Sequence, residues 1–205
     1  MSKTTTVNET SGTAIVLNKP SEVVEGNLII AYIGVGASAA DGTISPPDGS
    51  WTEIFESHIG RGSNGAAFYK FAGASEPATY TFTWTGATRS RGALMRFENV
   101  SAVNLPAVTQ GFSANAFAHV APSIVAGANA GLLCFANPGW SGTTTTPPAS
   151  MSPELYDVTN SGGSSEGGSL SAGFELVEPG ATGTRTFTSN QSVWRLMASV
   201  TLTGT

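Results

Sequence analysis

Residues able to do chemistry are few in this chain. There are two histidines, His58 and His119, one cysteine, Cys134, and three aspartates, Asp41, Asp48 and Asp157. No Cys or His pair stands at metal-ligand spacing and no Asp-rich calcium loop occurs, so neither metal nor cofactor is expected. Asp41-Gly42 and Asp48-Gly49 read as turns. Cys134 lies in Gly131-Leu132-Leu133-Cys134-Phe135, where a small buried hydrophobe is the expectation rather than a nucleophile. A Gly-x-Ser-x-Gly string runs from Gly163 to Gly167. It sits in a Gly/Ser tract with both histidines before it, which does not match a strand–nucleophile–helix elbow. Glycoside hydrolysis needs two carboxylates facing one cleft. Glu53 and Glu56 are three residues apart, as are Glu175 and Glu178, a spacing that places each pair on opposite faces of a regular strand. The chain is therefore expected not to be an enzyme.

Surface contacts remain. Trp140, in Asn137-Pro138-Gly139-Trp140-Ser141-Gly142, is a loop aromatic able to stack on a sugar ring or anchor an interface. The Gly/Ser loop at 161–169 is a second candidate tip. Arg61, Arg89 and Arg91 stand at or near turns and are candidates for charged surface contacts. Trp84 reads as core, and Trp51, after a Pro-Pro turn, as a plug at the end of a sandwich.

Charged residues make up 11% of the 205 and the net charge is −5, against a usual charged fraction near 25%. That excludes nucleic-acid binding through a basic patch, and one cysteine excludes a disulfide scaffold. Gly, Ala, Ser and Thr together form nearly half of the chain. The opening Met1–Gly12 has one Lys and no apolar core, so it reads as no signal peptide. The longest apolar stretch, Leu28 to Val35, is too short to span a bilayer.

The sequence repeats at an offset of about a hundred residues. Gly26–Tyr32 matches Ala130–Ala136, Thr43–Pro47 matches Thr144–Pro148, and Gly73–Thr83 matches Glu178–Thr188. Ala93-Leu94-Met95 matches Arg195-Leu196-Met197. The repeats span about 14–100 and 116–202. Each reads as strands. Thr79–Thr85 alternates Thr with aromatics, the period of a half-buried strand with its aromatic face inward. Leu28–Ile33 and Gly131–Ala136 are continuous apolar runs, as in strands covered on both faces. Ala66–Phe71, Leu170–Val177, Arg91–Val100 and Val193–Leu202 complete the set. Gly/Pro turns separate them. The expected fold is an all-β, jelly-roll-like β-sandwich built from two sequence-related halves. It forms one domain over 13–205, with a flexible N-terminal arm over 1–12; two tandem sandwiches are the alternative.

Three strings together, Gly26-Asn27-Leu28-Ile29-Ile30-Ala31, Ile44–Thr52 and Ala67–Phe82, resemble a family of tailed-phage and prophage virion proteins. Members carry Ile-Thr-Pro-Pro-x-Gly-Trp-Thr, then Tyr-Lys-x-Ala-Gly-Ala-Ser-Glu-Pro, then a degenerate second copy. The likeness covers about residues 14–202. Ser50 is inserted relative to that pattern, and the second Pro-Pro turn lacks the glycine. The resemblance implies a structural component of the virion, made in the host cytoplasm. A capsid decoration, or cement, protein fits best, acting as a trimer on the major capsid protein, with no nucleic acid or membrane partner. Its contacts would include the Thr-rich arm (Thr4, Thr5, Thr6) and the three arginines. The alternatives are a module binding host-surface glycan through Trp140, on a tail, fibre or head, and another tail or neck subunit.

Overall fold

The structure is a computed structural model describing residues 2–36, 43–58, 64–104, 107–112, 117–140, 142–160 and 167–205. Among these residues there is no helix. The first half supplies β1 (Ser2–Asn18), β2 (Leu28–Val35), β3 (Thr52–Ser57), β4 (Asn64–Phe71) and β5 (Thr79–Phe97). They form one antiparallel sheet in the order β1-β5-β2-β4-β3. The second half supplies β6 (Val100–Val103), β7 (Ala107–Phe112), β8 (Ala118–Ala121), β9 (Val125–Ala126), β10 (Ala130–Pro138), β11 (Thr145–Thr146), β12 (Ser152–Asn160), β13 (Gly168–Val177), β14 (Gly180–Ala181), β15 (Arg185–Ser189) and β16 (Trp194–Gly204). Its main sheet runs β12-β13-β10-β16-β6, with β7 also paired to β16. Read from β3 and from β12, the two sheets have the same strand order. The duplication in sequence is thus a duplication of topology, with each half building one sheet of a β-sandwich.

The two sheets face each other across a shared core. Leu28, Ile30, Tyr32, Phe55 and Met95 from the first pack against Leu133, Phe135, Leu170, Ala198 and Val200 from the second. Tyr32, Phe55 and Phe135 form a three-ring cluster with centroids 4.9–6.1 Å apart, all edge-on, the geometry that aromatic quadrupoles favour.

Each sheet is also covered on its outer face, which is why β2 and β10 are buried at every position. β5 bends at Gly86, where φ is +82°, a value open to glycine at little cost. Its first part, Thr79–Thr83, leaves the main sheet and pairs with Ala14–Asn18 of β1, while Ser45 bridges Thr83. The resulting flap closes a second core of Ile15, Leu17, Trp51, Tyr80, Phe82 and Trp84 over Ile29, Ile33 and Phe68. β11-β15-β8 repeats the flap on the other half, with Phe187 in the place of Phe82. The alternation over Thr79–Thr85 holds: Tyr80, Phe82 and Trp84 are buried and the threonines exposed. Trp51 is buried as well, but beneath the flap rather than at an end of the sandwich.

Two expectations need correction. Residues 2–12 are not an arm but the first part of β1, pairing from Ser2↔Arg96 to Asn8↔Ser90. Alternating Thr is good strand material, and β5 supplies its ladder. β1 then folds back on itself around 9–13, with Thr4 Oγ1 donating to the Asn18 carbonyl and Asn8 Nδ2 to that of Ala14 at 3.1 Å. The matched repeats are also one residue out of register on the central strands. Tyr32 points into the shared core while its counterpart Ala136 points outward. Leu94 points outward while its counterpart Leu196 points in.

Candidate functional site

Most polar groups with chemical potential are engaged within the fold. Glu76 shows how a turn motif becomes structure. In Gly73-Ala74-Ser75-Glu76-Pro77 its carboxylate accepts from Gly73 N–H at 2.7 Å, Lys70 Nζ at 2.9 Å and Tyr80 Oη at 2.5 Å. Lys70 Nζ also lies 5.8 Å from the ring centres of Trp51 and Tyr80, within cation–π range. Trp51 stands edge-on to Tyr80 and Phe82 at 5.2 and 5.3 Å. The second half keeps an ion pair on the corresponding outer face with the charges exchanged: the acid, Glu175, is on β13 and the cation, Arg185, on β15.

Arg91, expected at the surface, is fully buried. It sits on β5 opposite Gly34 of β2, and a Cβ on Gly34 would stand 2.9 Å from the guanidinium. Arg91 Nη2 donates to Asn137 Oδ1 of the facing sheet at 2.5 Å, and Asn137 Nδ2 donates to the Asn64 carbonyl at 3.0 Å. Burial brings the Arg91 pKa down to about 10, against a smaller upward pull from Tyr32. This arginine is therefore a clasp between sheets. A missing side chain at position 34 makes room for it, a cue that lies 57 residues away in sequence.

His119 and Ser189 are a pair that spacing did not suggest. The ring Nε2 is 2.7 Å from Ser189 Oγ. That hydroxyl donates its proton to the Gln191 carbonyl at 2.6 Å, so the contact with the ring is an N–H donated to Ser189. The lone-pair nitrogen, Nδ1, is buried and has no partner among the described residues. A serine whose proton points at a carbonyl is not activated by its histidine. Burial, with Arg195 adding to it, pushes the His119 pKa down to about 4, so the ring is neutral. Cys134 is buried, and burial raises its thiol to about 11 against a smaller lowering by Ser199.

Glu53 and Glu56 do share a face. The β3–β4 register slips between Glu53 and Phe55, so Ile54 and Phe55 both enter the core. Glu53 then lies opposite Phe68 and Glu56 opposite Ala66, both outward-facing. A bulge adds one residue and reverses the parity that a regular strand would give. Partial burial, then the neighbouring Glu56, raises the Glu53 pKa, with His58 opposing. Glu56 is engaged with the Ile44 N–H at 2.5 Å and His58 Nε2 at 3.1 Å. No group of three or more metal-ligating side chains occurs among the described residues.

The proposed contact residues divide between two places. Thr4, Thr5 and Thr6 lie on β1, which ends its sheet and, among the described residues, is ladder-paired only to β5. Thr4 and Thr6 are half-buried, whereas Thr5 and Val7 are exposed. Arg89 belongs to the same ribbon and lies 3.8 Å from Glu9. Arg61 and 161–166 of the Gly/Ser loop lie outside the described residues. Trp140 lies elsewhere, beyond the end of β10, 43% exposed and with φ at +111°. Compared with protein-family models, with curated proteins and with solved structures, the chain finds no match in any of the three.

Proposed function

We propose that this protein is a structural subunit of a tailed-phage particle, a decoration protein that docks on the capsid through the open edge of its first sheet. The observation that carries the reading is β1. Thr4-Thr5-Thr6-Val7-Asn8 is an uncharged, strand-favouring stretch on an edge strand, with ladder partners on one side only among the described residues. Bulges guard many natural edges, and β1 has its register shift only after Asn8, so Thr4–Asn8, with β12 of the facing sheet close by, can still accept a further strand. The sequence resemblance to virion proteins supports the same reading, and the engagement of Glu76, Arg91, His119 and Cys134 in packing fits a passive role. In this reading the partner is the major capsid protein and the subunit acts as a trimer.

The test is co-sedimentation with mature capsids of its own phage that lack the protein. Saturable binding at a fixed ratio to the major capsid protein is expected. Thr5→Lys with Val7→Lys, which places charge on exposed positions of the edge, should weaken binding by about tenfold or more, at roughly 1.4 kcal/mol per decade. Absence of saturable binding by the folded parent protein refutes capsid docking. Undiminished binding by the double variant refutes the edge.

A further inference from the structure

We propose that a second surface, at the corner where β8, β15 and the turn after β10 meet, binds the pyranose rings of an oligosaccharide. Three large aromatics are exposed among the described residues, and two of them flank this corner: Phe117 (55%) and Trp140 (43%). Trp51 and Trp84 are by contrast buried. Ser189 N–H donates to the Phe117 carbonyl at 2.8 Å. The next residue, Asn190, donates from Nδ2 to the Gly142 carbonyl at 3.1 Å and accepts from Thr144 N–H at 2.8 Å. Asn190 therefore ties the two aromatic-bearing segments together. Gln191 Nε2 lies 3.7 Å from the position a Cβ on Gly142 would take.

The backbone of Trp140 gives a second, independent reason. A φ of +111° is rare for any bulky residue and costs about 1–3 kcal/mol. It is held by hydrogen bonds on both sides. Trp140 N–H donates to the Gly167 carbonyl at 2.9 Å, and the Trp140 carbonyl accepts from Thr143 Oγ1 at 3.0 Å. The neighbouring Gly139 N–H donates to the Trp194 carbonyl at 2.8 Å. Glycine would take this conformation without cost, yet a tryptophan occupies it with its side chain half in solvent. Part of the ring therefore packs on the protein and the rest, 43% of the residue, faces solvent where a ligand can reach it.

The ligand class follows from the neighbours. Aromatic faces match the apolar C–H faces of a sugar ring, and the Gln191 amide, with the second Nδ2 hydrogen of Asn190, matches its hydroxyls in donor and acceptor senses. A shallow site of this kind binds weakly, with Kd near 1 mM to within about a decade.

The experiment is saturation-transfer difference NMR on the full chain, with chitotetraose, cellotetraose and maltotetraose as probes at about 10 mM, roughly ten times that Kd. Transfer to ring C–H protons of at least one tetrasaccharide is expected. Trp140→Gly should weaken that binding at least tenfold in a variant that stays folded, because relief of the strained φ offsets part of the packing lost with the ring. Phe117→Ala should weaken it several-fold. The proposal is overturned by no transfer from any of the three probes, or by transfer that survives in both variants. The site is remote from β1 in sequence and shares no residue with it, so its failure leaves the capsid reading standing.

Discussion

Replacing Glu76 with glutamine probes what holds the first flap in place. The Glu76 side chain is 4% exposed and takes three donors, from Gly73, Lys70 and Tyr80. Hydrogen bonds to a charged group contribute about 1.5–3 kcal/mol each before resolvation. Gly73 is itself exposed and regains water, so the three do not sum. Glutamine keeps one oxygen but turns an NH2 toward donors, and the expected cost is about 2 kcal/mol; alanine should cost about 3 kcal/mol, a fall of roughly 6–12 °C in Tm for a chain of this size. Burial alone would raise the Glu76 pKa, but the bonds from Tyr80, Gly73 and Lys70 outweigh it and hold the carboxyl below the usual range. A depressed carboxyl pKa stabilises the fold above the unfolded value, near 4.3, and the contribution is lost as pH falls through the lower folded value. The gap between parent and Glu76→Gln should therefore be full at neutral pH and smaller at about pH 3, below the unfolded value near 4.3. Guanidinium unfolding followed by tryptophan fluorescence reads both, since Trp51 lies in the same cluster. An equal gap at both pH values would mean that the charge of Glu76 contributes nothing, and the reasoning from geometry would fail.

Two further predictions concern the second half and the seam. His119 is neutral and fully buried, with its pKa lowered to about 4. The unfolded chain binds a proton near pH 6.5 that the folded one refuses, so stability should decline as pH falls from about 6.5 to 4, by roughly 3 kcal/mol in all. In His119→Gln the decline over that window should be shallower by about this amount, and a parallel pH profile would show that the ring is protonated within the fold. Asn137→Ala removes the oxygen that Arg91 grips across the sandwich, and should cost about 3 kcal/mol because the buried guanidinium loses that partner. Chemical unfolding measures this directly, and a cost below about 1 kcal/mol would mean the clasp is replaced by other acceptors.

The parts of the fold legible in the sequence are those where one face is wet. Thr79–Thr85 shows its period because the threonines meet solvent and the aromatics do not. Leu28–Val35 and Ala130–Pro138 are buried on both faces, so their apolar runs carry no parity. An alignment there can slip by one residue at no visible cost. The same blindness to parity hid the bulge at Ile54 that turns Glu53 and Glu56 to one side. It also left Arg91 looking like a turn arginine, because the glycine that accommodates it belongs to another strand. Ser2–Asn8 read as a tail for a different reason: its partner strand lies some ninety residues later, and a single edge strand of polar residues has no local signal beyond Thr propensity.

The motif residues behind the resemblance to virion proteins have a common fate that limits what the resemblance conveys. Trp51 from the Pro-Pro turn, Lys70 and Glu76 from the Lys–Glu segment, and Tyr80 and Phe82 all converge on one cluster under the first flap. That cluster builds a sheet and its cover. It places no requirement on what the outside of the molecule touches. The second half makes the same point: it retains the topology and an ion pair across the same face, yet reverses the charges and replaces Trp51's surroundings with Met151 and Phe187. Specific contacts are then to be sought where the two halves differ at the surface. The edge of β1 belongs to the first half. The strained, partly exposed Trp140 belongs to the second. Of the two, Trp140 is the sharper test of recognition, because replacing it with glycine relieves a strained φ while it removes the ring, so a folded variant that no longer binds assigns the ring to recognition.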